Sequence, residues 1–84
     1  MTRYSSHARD RMSERSIAEA EVGDVLAQPL EVIGLKYSRK AACKQGASGK
    51  YTVVIFEDLD EGFLVVTAVK VDKNRVKRYG FTRV

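Results

Sequence analysis

Cysteine, histidine and proline are nearly absent from this chain, with one of each among 84 residues. A single thiol, Cys43, cannot close an internal disulfide, and together with a single imidazole it cannot complete a structural zinc site. The lone thiol agrees with a reducing compartment. No apolar run approaches the roughly 20 residues needed to cross a bilayer, and Arg3, His7 and Arg9 crowd the N-terminal segment where a signal peptide would have its apolar core. The expectation is a cytoplasmic protein with no membrane partner. Gly-rich phosphate-cradling loops, serine-nucleophile motifs and metal ligands at a usable spacing are also missing, so neither a cofactor nor a metal is expected. The acidic stretch Glu57 to Gly62 superficially resembles a metal loop. It lacks the alternating ligands and distant bidentate glutamate of such loops and reads as an exposed hairpin turn.

What remains fits one domain, residues 1–84, because the length allows one modest core and no second. The formal net charge is +4, and its distribution is more informative than its sum. Acidic groups gather at Glu19, Glu21, Asp24 and Glu31 and again at Glu57, Asp58, Asp60 and Glu61. Between residues 35 and 56 the charges are Lys36, Arg39, Lys40, Lys44 and Lys50, all basic, and the end of the chain holds Lys70, Lys73, Arg75, Lys77, Arg78 and Arg83 against Asp72. Such segregation suits a surface that meets a polyanion. It is also what unpartnered, solvating charge can look like.

Local patterning predicts two helices and then strands. Ser5 or Ser6 can cap a first helix running to about Glu14, with Ala8 and Met12 on its buried side. A second helix reads through Val22, Val25 and Leu26 and is closed by Pro29. Its start has two registers: Ser16 with Glu19 as a capping box, or Ala18 with Glu21 at the third position and Ile17 stapled to Val22. After Pro29 the period becomes two. EVIGLKYS, KAACKQ, KYTVVIFE and GFLVVTAVKV read as four strands of an antiparallel meander, separated by Ser38-Arg39, Gly46 to Gly49 and Asp58 to Gly62. Tyr51, Val53 and Ile55 are expected on one face of the third strand, and Phe63, Val65, Thr67 and Val69 on one face of the fourth. The expected fold is α+β, with two N-terminal helices on one face of a four-stranded antiparallel sheet. From about residue 73 a basic extension follows, and its Val76, Tyr79 and Phe81 leave open whether it is a mobile tail or a docked strand.

On the first helix His7, Arg11 and Arg15 recur every four residues and share one stripe. Cleaving RNA without a metal needs a proton acceptor, a proton donor and cations for the phosphate. An imidazole is a side chain suited to proton exchange, which makes His7 the candidate proton carrier, and Arg11 and Arg15 can hold phosphate oxygens. Lys50, Tyr51 or Tyr79 could be the second proton carrier or a stacking surface for a base. Lys36, Lys70, Lys77 and Arg78 complete the candidate RNA-binding set. A rival reading makes the same arginines structural, paired with Asp10, Glu14 or the 57–61 turn, in a non-catalytic nucleic-acid-binding or accessory domain.

The string SSHARDRMSERSI, then AEAEVGDVLAQP and strands ending in FLVVTAVKV, resembles a family of small domains of unknown function that open with a His-Ala-x-x-Arg-Met-x-x-Arg helix. That family is similar to the RelE-like members of the barnase, EndoU, colicin and RelE group of metal-independent ribonucleases, many of them toxins of toxin–antitoxin pairs. The resemblance spans residues 5–71. It implies a RelE-like fold, endoribonuclease activity on RNA, a cognate antitoxin as partner, and catalytic roles for His7, Arg11, Arg15 and Thr67, the last matching a threonine in the family's final strand. Members commonly carry Gly then Ile-Ser after the second arginine, where this chain has Ser16, Ile17 and Ala18.

Overall fold

Ser5 is the cap of the first helix: its Oγ accepts from the Ala8 N–H at 3.0 Å, supplying one of the acceptors that a helix start lacks. In the computed structural model, which describes residues 1–84, helix α1 covers Ser6–Glu14 and α2 covers Glu19–Ala27. The α2 start takes the later register, with Ala18 at the cap. Alanine has no side-chain acceptor, so only half of a capping box forms, the Glu21 carboxylate accepting from the Ala18 N–H at 3.5 Å. Ile17 and Val22 are both buried in the same cluster, the arrangement that a hydrophobic staple requires.

The sheet has five strands, not four, and is mixed. Strands β1 (Thr2–Tyr4), β2 (Glu31–Gly34), β3 (Lys40–Gln45), β4 (Tyr51–Leu59) and β5 (Gly62–Val71) lie in the order β1-β5-β4-β3-β2. β2 to β5 form the expected antiparallel meander, and β1 adds a parallel edge to β5. Three residues of β1 carry too little pattern to announce a strand. What fixes them is pairing, including a bond from the Phe63 N–H to the Met1 carbonyl at 2.9 Å. Gly62 makes that approach possible: its φ is +116°, and a Cβ there would sit 1.6 Å from the Met1 oxygen.

Both faces of the sheet are covered. On one, α1 and α2 bury Ala8, Met12, Ile17, Val22 and Val25 against Ala42, Val54, Phe56, Val65 and Ala68. On the other, Ala41, Cys43, Tyr51, Val53 and Val71 are sealed by Val76 and Phe81 of the C-terminal segment. That segment is neither mobile tail nor strand. Asp72 caps a short helix α3 (Lys73–Lys77), accepting from the Arg75 N–H at 2.9 Å, and the chain then crosses to β2, where the Glu31 carboxylate accepts from the N–H groups of Thr82 and Arg83 at 2.8 Å each. Each fully buried valine here contributes roughly 1.5–3 kcal/mol relative to exposure, so covering the second face is a substantial share of the fold's stability.

A β-bulge changes the expected faces of β5. Ile55 pairs with Thr67 but Phe56 pairs with Val65, so Val66 is an extra residue. One extra residue turns every later side chain to the opposite face. Phe63 and Val65 therefore pack with the helices, whereas Val69 packs with the C-terminal segment. Ser5 secures the bulge, donating its N–H to the Val65 carbonyl at 3.1 Å and its hydroxyl to the Val66 carbonyl at 3.3 Å.

Two turns use left-handed backbone at residues other than glycine. Ser16 has φ +55° immediately after the α1 cap, the position where glycine is favoured, which gives a physical reason for the glycine that the resembling family places there. Tyr37 and Ser38, at φ +61° and +60°, are the central pair of the tight turn from β2 to β3. Each such residue costs about 1–2 kcal/mol.

Candidate nucleic-acid interface

α1 holds its three polar residues in line, as their spacing requires, but engages two of them within the molecule. His7 lies exposed in the first turn. Arg11, one turn on, is half-buried and pairs with Glu14 at 3.0 Å. Arg15 ends the helix and donates from Nη1 to the Ala68 carbonyl at 2.8 Å. Five concavities indent the surface, and none is lined by His7, Arg11 or Arg15. Thr67 does not join them. It pairs with Ile55, which packs with the second cluster, so the sheet stands between Thr67 and α1. The cause is the bulge at Val66.

The remaining candidates separate into three groups. Tyr51 is 6 % exposed within the second core, so its ring cannot be the stacking surface or proton carrier read from the sequence. Lys50 and Lys70 share a groove of about 400 Å³ with Glu21, Ser48 and Thr52. There Lys70 pairs with Glu21 at 2.8 Å, and the hydrogen bond from its ammonium holds the Glu21 carboxyl below its ordinary pKa. Lys36 stands at the β2–β3 turn, exposed.

Lys77, Arg78 and Tyr79 belong to the third group, in and just beyond α3. Arg75 and Arg78 are three residues apart, one turn of α3, and with Tyr79 they line a concavity of about 210 Å³. Both arginines are exposed, and neither takes part in a salt bridge. Tyr79 is half-buried, its ring tilted against Phe81 at 6.4 Å between centroids. Arg75 joins this group although local patterning of the sequence does not single it out. Asp72 followed three residues later by Arg75 was the available signal, a helix cap that a segment read as tail or strand conceals.

Two further titrating groups define what this surface does not offer. Cys43 is fully buried, and burial first, with the nearby Glu31 charge second, pushes its thiol up to about 11. It is a packed apolar group at neutral pH, not a nucleophile. Glu31 is held below the usual carboxylate range, chiefly by the Arg83 N–H and then by Thr82, and serves as the anchor of the C-terminal segment. No helix of the molecule is long and apolar enough to cross a membrane.

Among known proteins, a family model described as a domain of unknown function, DUF4258, matches residues 4–77. No curated protein and no solved structure matches the chain.

Proposed function

The chain belongs to the DUF4258 family of domains of unknown function, and we propose that it is an RNA-binding domain whose principal contact surface is the C-terminal segment over the second face of the sheet. One observation carries this reading: Arg75 and Arg78, both free of ion pairs, line one concavity together with Tyr79. Guanidinium groups can take phosphate oxygens in pairs, and a tyrosine ring offers a face to a base. Lys77 adds exposed charge alongside. On α1 the equivalent cations already have partners in Glu14 and Ala68. The test is binding of a labelled single-stranded RNA across a salt series by wild type and the Arg75→Ala, Arg78→Ala double variant. Unchanged affinity in the double variant at every salt concentration would overturn the assignment.

A second reading, a metal-independent endoribonuclease of RelE-like toxin type, is favoured by the exposure of His7, the chain's single imidazole, on the same helix line as Arg11 and Arg15. The arrangement of two helices followed by an antiparallel meander is also what the RelE resemblance implies. In this reading His7 exchanges the proton, Arg11 leaves the exposed Glu14 for phosphate, and Arg15 steadies the helix end through Ala68. Thr67 has no place in it. Incubation with RNA in EDTA decides: cleavage by wild type that His7→Ala abolishes supports catalysis, and cleavage by neither removes it. A cognate antitoxin is compatible with either reading.

A further inference from the structure

The β2–β3 turn displays the most exposed aromatic ring of the molecule. Tyr37 is 87 % exposed and belongs to neither apolar cluster. It is the first of two central residues, both with positive φ, in a turn closed by the Arg39 N–H on the Lys36 carbonyl at 3.4 Å, with the Leu35 N–H bonding the Arg39 carbonyl below it at 2.7 Å. Positive φ at both positions is the geometry that Asn-Gly normally serves. A bulky tyrosine there is strained, and nothing inside the fold is gained by it. Strain retained against the local preference of the chain is concentrated where a site uses the geometry.

The charges around the ring are of one sign along the chain. Lys36 precedes it, Arg39 and Lys40 follow, and Lys36 has no ion-pair partner. Arg39 and Lys40 reach back to Glu57 and Asp58 on the neighbouring strand through pairs that solvent screens. A second copy of this chain would bring the same cations to the same place, which disfavours self-association through this tip. A polyanion with exposed apolar faces satisfies both features together.

We infer that the Lys36–Arg39 turn is a base-stacking finger for single-stranded RNA. The Tyr37 ring takes the face of an unpaired nucleobase, and Lys36, which has no ion-pair partner, meets an adjoining phosphate. Any base has such a face, so the finger reads strandedness and not sequence, and a duplex, whose bases stack on one another, is disfavoured. The inference rests on the RNA reading above and adds a second contact on a different element.

The chain contains no tryptophan, so Tyr37→Trp creates a single fluorescent reporter at the tip. Titration with a short single-stranded RNA is expected to quench it, while the matching duplex leaves it largely bright. A companion variant, Tyr37→Gly, removes the ring and relaxes the turn. It is expected to hold or raise the melting temperature and to weaken single-strand binding by roughly 5- to 150-fold, the worth of one stacked base. Loss of affinity without loss of stability is a combination that a purely structural tyrosine would not give. If wild type binds no RNA, the RNA reading falls and takes this one with it. If wild type binds but Tyr37→Gly binds equally well, or the tryptophan stays unquenched at saturation, the finger alone is overturned.

Discussion

The guanidinium of Arg15 and the carbonyl of Ala68 meet at 2.8 Å, fastening the end of α1 to the strand directly beneath it. A charge-assisted bond of this kind, partly shielded, is worth about 1–2 kcal/mol after allowance for solvent. Arg15→Ala is therefore expected to lower the unfolding free energy by about that amount in a urea titration. Arg11→Ala, which breaks only an exposed pair with Glu14, is expected to change it by less than about 0.5 kcal/mol. Equal effects would contradict the structural role assigned to Arg15.

Ser16 offers a gain. Its φ of +55° suits glycine, and Ser16→Gly is expected to stabilise by about 0.5–1 kcal/mol, the relief of left-handed strain exceeding the added freedom of the unfolded chain. In a domain of this size that is a rise of roughly 2–8 °C in the melting temperature. A fall in melting temperature would show that the serine hydroxyl has a role the backbone does not reveal.

Gly62 predicts the reverse. With φ +116° and the Met1 carbonyl where a Cβ would stand, Gly62→Ala must push β1 away from β5. Loss of about 2 kcal/mol or more is expected, together with faster amide exchange at Phe63, whose N–H bonds Met1. Wild-type exchange at Phe63 in this variant would show that β1 pairing survives.

Phosphate contacts at Arg75 and Arg78 have a thermodynamic signature. Each contact to a single strand contributes about −0.7 to the slope of log affinity against log salt, so removing both should flatten the slope by about 1.4. A uniform loss of affinity with the slope unchanged would mean that the arginines shape the segment without touching phosphate.

Glu31 makes the C-terminal segment sensitive to acid. Hydrogen bonds from Arg83 and Thr82 lower its pKa in the folded state. A carboxylate lowered on folding stabilises fully above its unfolded pKa, and that contribution disappears as pH falls through the folded value. The protection factors of the Thr82 and Arg83 amides, taken against the intrinsic exchange rate at each pH, are expected to fall as pH drops through and below the ordinary glutamate range. Glu31→Gln should show low protection already at neutral pH and little further loss in acid.

How much of this the sequence disclosed depended on whether a feature announces itself locally. The α1 cap at Ser5, the end of α2 before Pro29 and the four meander strands were readable because capping, proline and period-two patterning act within a few residues. β1 was not readable, since three residues hold no period and their strand state comes from β5. The bulge was hidden because Leu64, Val65 and Val66 are all apolar, and an apolar run carries no phase from which a slipped face could be detected. Strict period-two alternation puts Thr67 on one face with Phe63 and Val65, and the bulge puts it on the opposite side of the sheet. Tyr51 lies beneath the C-terminal segment, a long-range covering that local patterning does not announce.

That the last dozen residues roof the second core has a thermodynamic corollary. The segment that carries Arg75, Arg78 and Tyr79 also supplies Val76 and Phe81 to the core, so closure of the roof and assembly of the proposed contact surface are a single equilibrium. Any ligand gripping those arginines draws on the closed population alone, and its apparent affinity includes the opening free energy of the roof. Substitutions at Val76 or Glu31, far from any phosphate, would therefore act on affinity by changing how often the surface exists.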